Sequence, residues 1–238
     1  MIVVAHRGAS GYRPEHTLAA DELAIELGAD YIEPDLVSTS DHVLVVRHEN
    51  EISGTTDVAD HAEFADRETT RTIDGVPVIG WFTEDFTHVE LGTLRARERL
   101  PDIRPAGTAF DGRYHIPTFQ QVIDLARRRH VGIYPETKHP TYFRSIGLPL
   151  EEPLVQAMHA NGYRGPNAPV FIQSFEVGNL RRLRRMTDVP LVQLLDDHGR
   201  PYDLVASGDP RAPTPTSPPR WAWPSSRPTS RGSDRTSA

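Results

Sequence analysis

Cysteine is absent from this chain, so neither a disulfide framework nor a thiolate metal site is available to it. Lysine is nearly absent: of 26 basic residues only Lys138 is not arginine. No apolar run approaches the roughly 18 residues that a membrane span requires. There is no surplus of positive charge either. The formal net charge of -7 argues against nucleic acid or an anionic membrane surface as a partner. The N-terminus lacks the charged segment and cleavage site of a secretory leader. Met1-Ile2-Val3-Val4-Ala5 reads instead as a buried first strand. The expectation is a cytoplasmic protein, or an exported one whose leader precedes this start. Nothing in the pattern signals an oligomeric state.

What is present suits one soluble domain, with 37% hydrophobic and 25% charged residues. At 238 residues the chain comes just within reach of a parallel α/β barrel, which takes about 250. Apolar runs predict strands at residues 2–5, 31–37, 43–47, 131–135, 170–173 and 191–195. Helical patterns fall at 17–27, stopped by Gly28, and at 119–129, 151–161 and 178–186. The βαβ rhythm favours a parallel sheet with crossover helices, six strands being legible where a closed barrel has eight. Residues 49–113 interrupt the rhythm and read as a loop insertion after strand three, with a helix over 89–100. After Asp209 periodicity of either kind is lost, and 210–238 read as a disordered tail rich in Pro, Ser and Arg.

The strongest local signal is Glu33-Pro34-Asp35. Residues two apart on a strand share a face, so the two carboxylates converge and need a cation between them. Two solvated acids on an edge strand are the plainer explanation, but the flanks Tyr31-Ile32 and Leu36-Val37 are apolar. Glu136 adds a third carboxylate at a strand end, where barrel active sites sit. Carboxylates without cysteine suit a hard cation, Ca²⁺ or Mg²⁺. His6 and His48 each close a strand and suggest an acid/base pair titrating near neutrality. Arg7 offers a planar fork for an anionic oxygen, and the lone Lys138 offers a compact ammonium on the strand face of Glu136. The set fits displacement at phosphorus. His16, His42, His61, His88 and His115 are read as surface or structural. The pairs Arg181-Arg182 and Arg184-Arg185 are read as a solvated helix face.

His6-Arg7-Gly8, Pro14-Glu15-His16-Thr17, Glu33-x-Asp35 and His48, followed by Glu136-Thr137-Lys138 and Gln173-Ser174-Phe175, resemble the glycerophosphodiester phosphodiesterase family. Trp81-Phe82-Thr83-Glu84-Asp85-Phe86 looks like its larger, bacterial and plant-like branch. The resemblance covers residues 3–209. It implies a TIM (β/α)8-type barrel and hydrolysis of a small glycerophosphodiester to an alcohol and glycerol 3-phosphate. It implies Glu33, Asp35 and Glu136 as ligands of one divalent cation, Ca²⁺ or Mg²⁺. His6 and His48 would be acid and base, and Arg7 and Lys138 would hold the phosphate. His16 stands where many relatives have Asn, and Glu49 where many have Asp; both departures are discounted. Relatives continue with two more strand–helix units, so the barrel is expected to be incomplete, through a frameshift or truncation near Asp209. Two other readings stay open: a phospholipase D-like phosphodiesterase on the same barrel, and an inactive truncated paralogue.

Overall fold

The computed structural model describes residues 1–197 and 199–208. The expected tail, 210–238, lies outside the described residues. The architecture is an α/β barrel of the TIM type. Its parallel staves are β1 (Val4–His6), β2 (Tyr31–Glu33) continued by β3 (Asp35–Ser38), β7 (Gly132–Ile133) continued by β8 (Glu136–Thr137), β9 (Ile172–Ser174) and β10 (Leu191–Gln193). Helices α1 (Leu18–Glu26), α3 (Phe119–Arg129), α5 (Glu151–Ala160) and α6 (Val177–Leu183) cross between them, with α4 (Pro140–Ser145) and α7 (Tyr202–Ala206) as shorter pieces. Ile32, Leu36, Ile133 and Ile172 on the staves are fully buried and share one core with Phe119, Phe143 and Leu154 on the helices.

The helices begin and end where side-chain chemistry dictates. Thr17 caps α1 by accepting from the Ala20 amide, and Thr118 with Gln121 forms a capping box on α3. At the other end of α1 the chain turns through Gly28 at φ 95°, a conformation that suits glycine. Gly8 has a different reason. Its φ is 73°, and a Cβ there would lie 2.7 Å from the Ala20 carbonyl carbon, so α1 could not pack against the end of β1.

Four expectations need correction. The stretch 31–37 is two strands, because Pro34 has no N–H to continue the ladder. β2 pairs with β1 and β7, whereas β3 pairs with β8 and β4 (Leu44–Val46). A second break falls at Tyr134-Pro135, between β7 and β8. Next, β4 is not a stave but the antiparallel arm of a hairpin with β3. The connection over 39–43 is too short for a parallel crossover, which takes a dozen or more residues. The N-terminal run is not buried either: Ile2, Val3 and Val4 are exposed, since β1 has only β2 beside it among the described residues. Finally, the helix expected over 89–100 is only the single turn α2 (His88–Leu91), which Gly92 ends.

The insertion carries more structure than its polarity suggests. A hairpin, β5 (Thr69–Ile73) and β6 (Val76–Gly80), turns at Asp74-Gly75, both at positive φ as a tight hairpin turn demands. Phe82, Phe86, Leu91 and Leu94 are fully buried in the common core, which anchors the segment on the barrel. Three of the four arginines 181, 182, 184 and 185 are exposed, as a solvated helix face should be; Arg182 pairs with Glu151. Among the described residues no helix is long and apolar enough to cross a membrane.

Candidate active site

The proline breaks place three carboxylates together. Glu33 ends β2, Asp35 opens β3, and Glu136 opens β8 in register with Asp35. They are 2%, 0% and 6% exposed, and one oxygen from each lies within 4.8 Å of the others. Two donors hold Glu33: the Arg7 amide at 2.9 Å and the Gln173 side chain at 2.9 Å. The Lys138 ammonium donates to Glu136 Oε1 at 2.8 Å. Asp35 Oδ2 lies 2.8 Å from His16 Nε2, but Asp35 Oδ1 is buried without any partner.

That orphaned oxygen matters, because a buried ionised carboxylate is costly unless paired. Burial, then the repulsion of Asp35 and Glu136, pushes Glu33 well above the usual carboxylate range. Burial and Asp35 push Glu136 up to about 8, against the pull of Lys138. Burial would raise Asp35 too, but Lys138, His48 and His16 outweigh it and keep the group ionised. The cluster therefore needs protons, or a cation aimed at the free Oδ1. Three hard oxygen donors in one place fit a divalent metal.

The remaining expected residues surround the triad, Lys138 buried beside it and His6 exposed. His6 faces Glu33 across the β1–β2 register and is exposed; burial of part of its ring, then Arg7, lowers its pKa. The Arg7 guanidinium sits 3.3 Å from Glu15 Oε2 and 3.7 Å from Asp35 Oδ2. Burial would lower the Lys138 pKa, but Glu136 and Asp35 more than compensate and raise it. Lys138 Nζ also lies 3.2 Å from His48 Nε2. On its other side His48 Nδ1 is 2.5 Å from Glu49 Oε1. A carboxylate only accepts and an ammonium only donates, so Nδ1 carries the proton and Nε2 presents its lone pair. Burial and Lys138 lower the ring to about 4, which keeps it neutral.

Other residues of the site escaped the sequence reading. Of the two roles left open for His16, surface or structural, the fold takes the structural one, inside the site: the residue is 1% exposed and locked on Asp35, with a left-handed backbone at φ 55°. Arg7, at φ 61°, is left-handed too and accepts from the His16 amide at 3.3 Å. Such conformations persist where surrounding contacts over-determine them. Glu15 joins Arg7 to Arg99, whose Nε donates to it at 2.8 Å. Glu49, discounted as a departure, holds His48. His139 and Asp74 carried no motif at all. The usable signal for His16 and Glu49 was adjacency to the motif residues; for His139 it was adjacency to Lys138.

Comparison with known proteins bears on the family and the fold. The family model described as glycerophosphoryl diester phosphodiesterase matches residues 6–209. The chain is similar to glycerophosphodiester phosphodiesterase GDPD6 of Arabidopsis thaliana, 41% identical over 82% of this chain and 55% of that one. It is also similar to a glycerophosphodiester phosphodiesterase of Haemophilus influenzae, 31% identical over 82% and 56%. It thus spans about half the length of these curated relatives. A solved glycerophosphodiester phosphodiesterase from Agrobacterium tumefaciens superposes with a TM-score of 0.54, at 25% identity over 78% of this chain and 61% of that one. A phosphodiesterase from Oleispira antarctica, solved in complex with the product sn-glycerol-3-phosphate, superposes with a TM-score of 0.57, at 21% identity over 80% and 64%. These last two likenesses agree with the barrel architecture.

Proposed function

The chain belongs to the glycerophosphoryl diester phosphodiesterase family, and from that premise we propose that residues 1–209 form a hydrolase cleaving glycerophosphodiesters to an alcohol and glycerol 3-phosphate. The observation that carries this reading is the convergence of Glu33, Asp35 and Glu136 beside Lys138 and His48. Held by the three carboxylates, a Ca²⁺ or Mg²⁺ ion would neutralise charge on the phosphoryl oxygens. Arg7 and Lys138 grip the same oxygens from the protein side.

The neutral His48 is a base in waiting. Its Nε2 lone pair accepts the proton of the attacking hydroxyl, from water or from the glycerol itself, while Glu49 stabilises the imidazolium that forms. His6, at the end of β1, returns a proton to the leaving alkoxide as the P–O bond breaks. An anionic phosphate between Arg7 and Lys138 raises the lowered pKa of His6 and so charges it for that task. Lys138 has a second use: its contact with Nε2 keeps His48 deprotonated until substrate draws the ammonium away.

The test is release of glycerol 3-phosphate from glycerophosphocholine by the purified chain, with Ca²⁺, Mg²⁺ or EDTA. Turnover is expected with metal, and neither with EDTA nor in Glu33→Gln. A folded, metal-binding chain without turnover, or turnover indifferent to EDTA, would overturn the proposal. Turnover of a choline lysophospholipid in preference to glycerophosphocholine would redirect it to phospholipase D-like chemistry.

A further inference from the structure

The tip of the β5–β6 hairpin reaches into the neighbourhood of His48. Asp74, the first turn residue, places Oδ2 at 2.6 Å from Nδ1 of His139. His139 directly follows Lys138 and is buried, its backbone left-handed at φ 48°. Its Nε2 faces Glu49 Oε2 at 3.4 Å, and Glu49 Oε1 in turn receives the Nδ1 proton of His48. The order is Asp74, His139, Glu49, His48, joining residues far apart in sequence.

Both ring nitrogens of His139 face carboxylate oxygens, which can only accept, so both must carry protons. The ring is then an imidazolium between two carboxylates. Its electrostatics agree: burial alone would lower the pKa, but Asp74 and Glu49 together raise it to about 10. Glu49 has a further cation in Arg99, whose Nη1 is 3.7 Å away. That contact reaches the oxygen already bonded to His48, whereas His139 engages the other one. With both oxygens engaged the carboxylate plane cannot turn, and the His48 ring is held in the tautomer that leaves Nε2 open.

We infer that Asp74 and His139 are positioning residues for His48, acting through Glu49, so that the hairpin of the insertion sets the orientation and tautomer of the base. Neither has to meet substrate. The inference rests on the role proposed for His48, and it states what the hairpin adds to a site otherwise built on barrel strands. A residue supporting a ligand or base from one step away changes rate by roughly 10–100-fold when removed. Asp74 stands three contacts from His48, so the lower end applies.

The experiment uses the full chain, wild type and the variants Asp74→Asn, His139→Gln and the double variant. Two readouts are taken: kcat and KM for glycerophosphocholine with metal present, and long-range ¹H–¹⁵N spectra of histidine-labelled protein without substrate. Asp74→Asn keeps the shape and loses the charge. It is expected to lower kcat about tenfold with KM within about twofold, and to convert His48 from the single Nδ1–H form to a tautomer mixture. The double variant should lose no more than His139→Gln alone. An unchanged His48 spectrum in both single variants would overturn the inference, as would additive losses or a change confined to KM. If the wild type shows no turnover, the proposed function fails while the spectra still decide the relay.

Discussion

Glu33, Asp35 and Glu136 form one acidic grouping; Glu49 and Asp74 form another, joined to the first through His48 and Lys138. They are neutralised in opposite ways. The first sits on rigid staves, lacks enough positive charge of its own, and leaves Asp35 Oδ1 without a partner. The second is assembled partly by the insertion and contains its own cation, His139. The difference teaches where a ligand is wanted. A carboxylate cluster that repels itself is an open demand for charge, whereas one holding an imidazolium is balanced in charge even though Asp74 Oδ1 is itself buried without a hydrogen-bond partner.

The largest expected effect comes from removing that open demand. In Glu33→Gln combined with Asp35→Asn, calorimetric titration should show no Ca²⁺ or Mg²⁺ binding, and turnover should fall roughly a thousandfold or more. The same variant in EDTA should melt no lower than EDTA-treated wild type, because the repulsion has gone. A large drop in melting temperature would mean that the triad is internally satisfied, and the comparison would break.

His48→Gln should lower kcat by about 10²–10⁴-fold while leaving metal affinity unchanged by titration. Loss of metal binding as well would show that the two groupings cannot be separated.

Dependence on pH sharpens the contrast further. Glu33 and Glu136 have folded pKa values above the unfolded one, so the folded state binds more protons above pH 4.5. Without metal their contribution to stability falls as pH rises from there toward about 8, the Glu136 value. A cation must displace those protons, so its affinity should rise up to about tenfold per pH unit for each proton released. The Ca²⁺-induced shift in melting temperature should accordingly be larger at pH 8 than at pH 6. The second grouping behaves differently. Because the His139 pKa is raised, its contribution is full below the unfolded value of 6.5 and is lost as pH rises through about 10. In His139→Gln that alkaline decline should vanish from the stability profile while the metal effect stays.

The smallest effect is the baseline for both. Arg129 and Glu22 form a 2.7 Å pair in which the side chains are 34% and 45% exposed. Arg129→Ala should cost about 0.5 kcal/mol or less in denaturant unfolding, and leave turnover and metal binding unaltered.

Much of the barrel was legible beforehand, for physical reasons that differ by element. The apolar period of α3 and its threonine cap fix a helix over Phe119–Arg129 as read, because both signals are local. β4 was visible as a strand but not as antiparallel, since its partner is chosen by the short connection rather than by its own residues. The hairpin β5–β6 went unread although Asp74-Gly75 is a strong turn signal; Pro77 in β6 and the polar Thr-Thr-Arg-Thr run of β5 mask its alternation. Glu33, Asp35 and Lys138 stood out by spacing and by rarity. His16 and Glu49 did not, because side chains that serve by holding others carry no chemistry of their own.

The amino-acid sequence by itself therefore determined the family, the parallel rhythm, and the chemistry available at the strand ends. Each of these follows from residues near one another in the chain. Only the tertiary structure decided that His16 is buried against Asp35, that Asp35 keeps one oxygen free, and that Asp74 reaches His139 across 65 positions. Charge balance in a buried site is a sum over every group within a few ångströms. That sum has no value until the chain has folded and brought distant groups together.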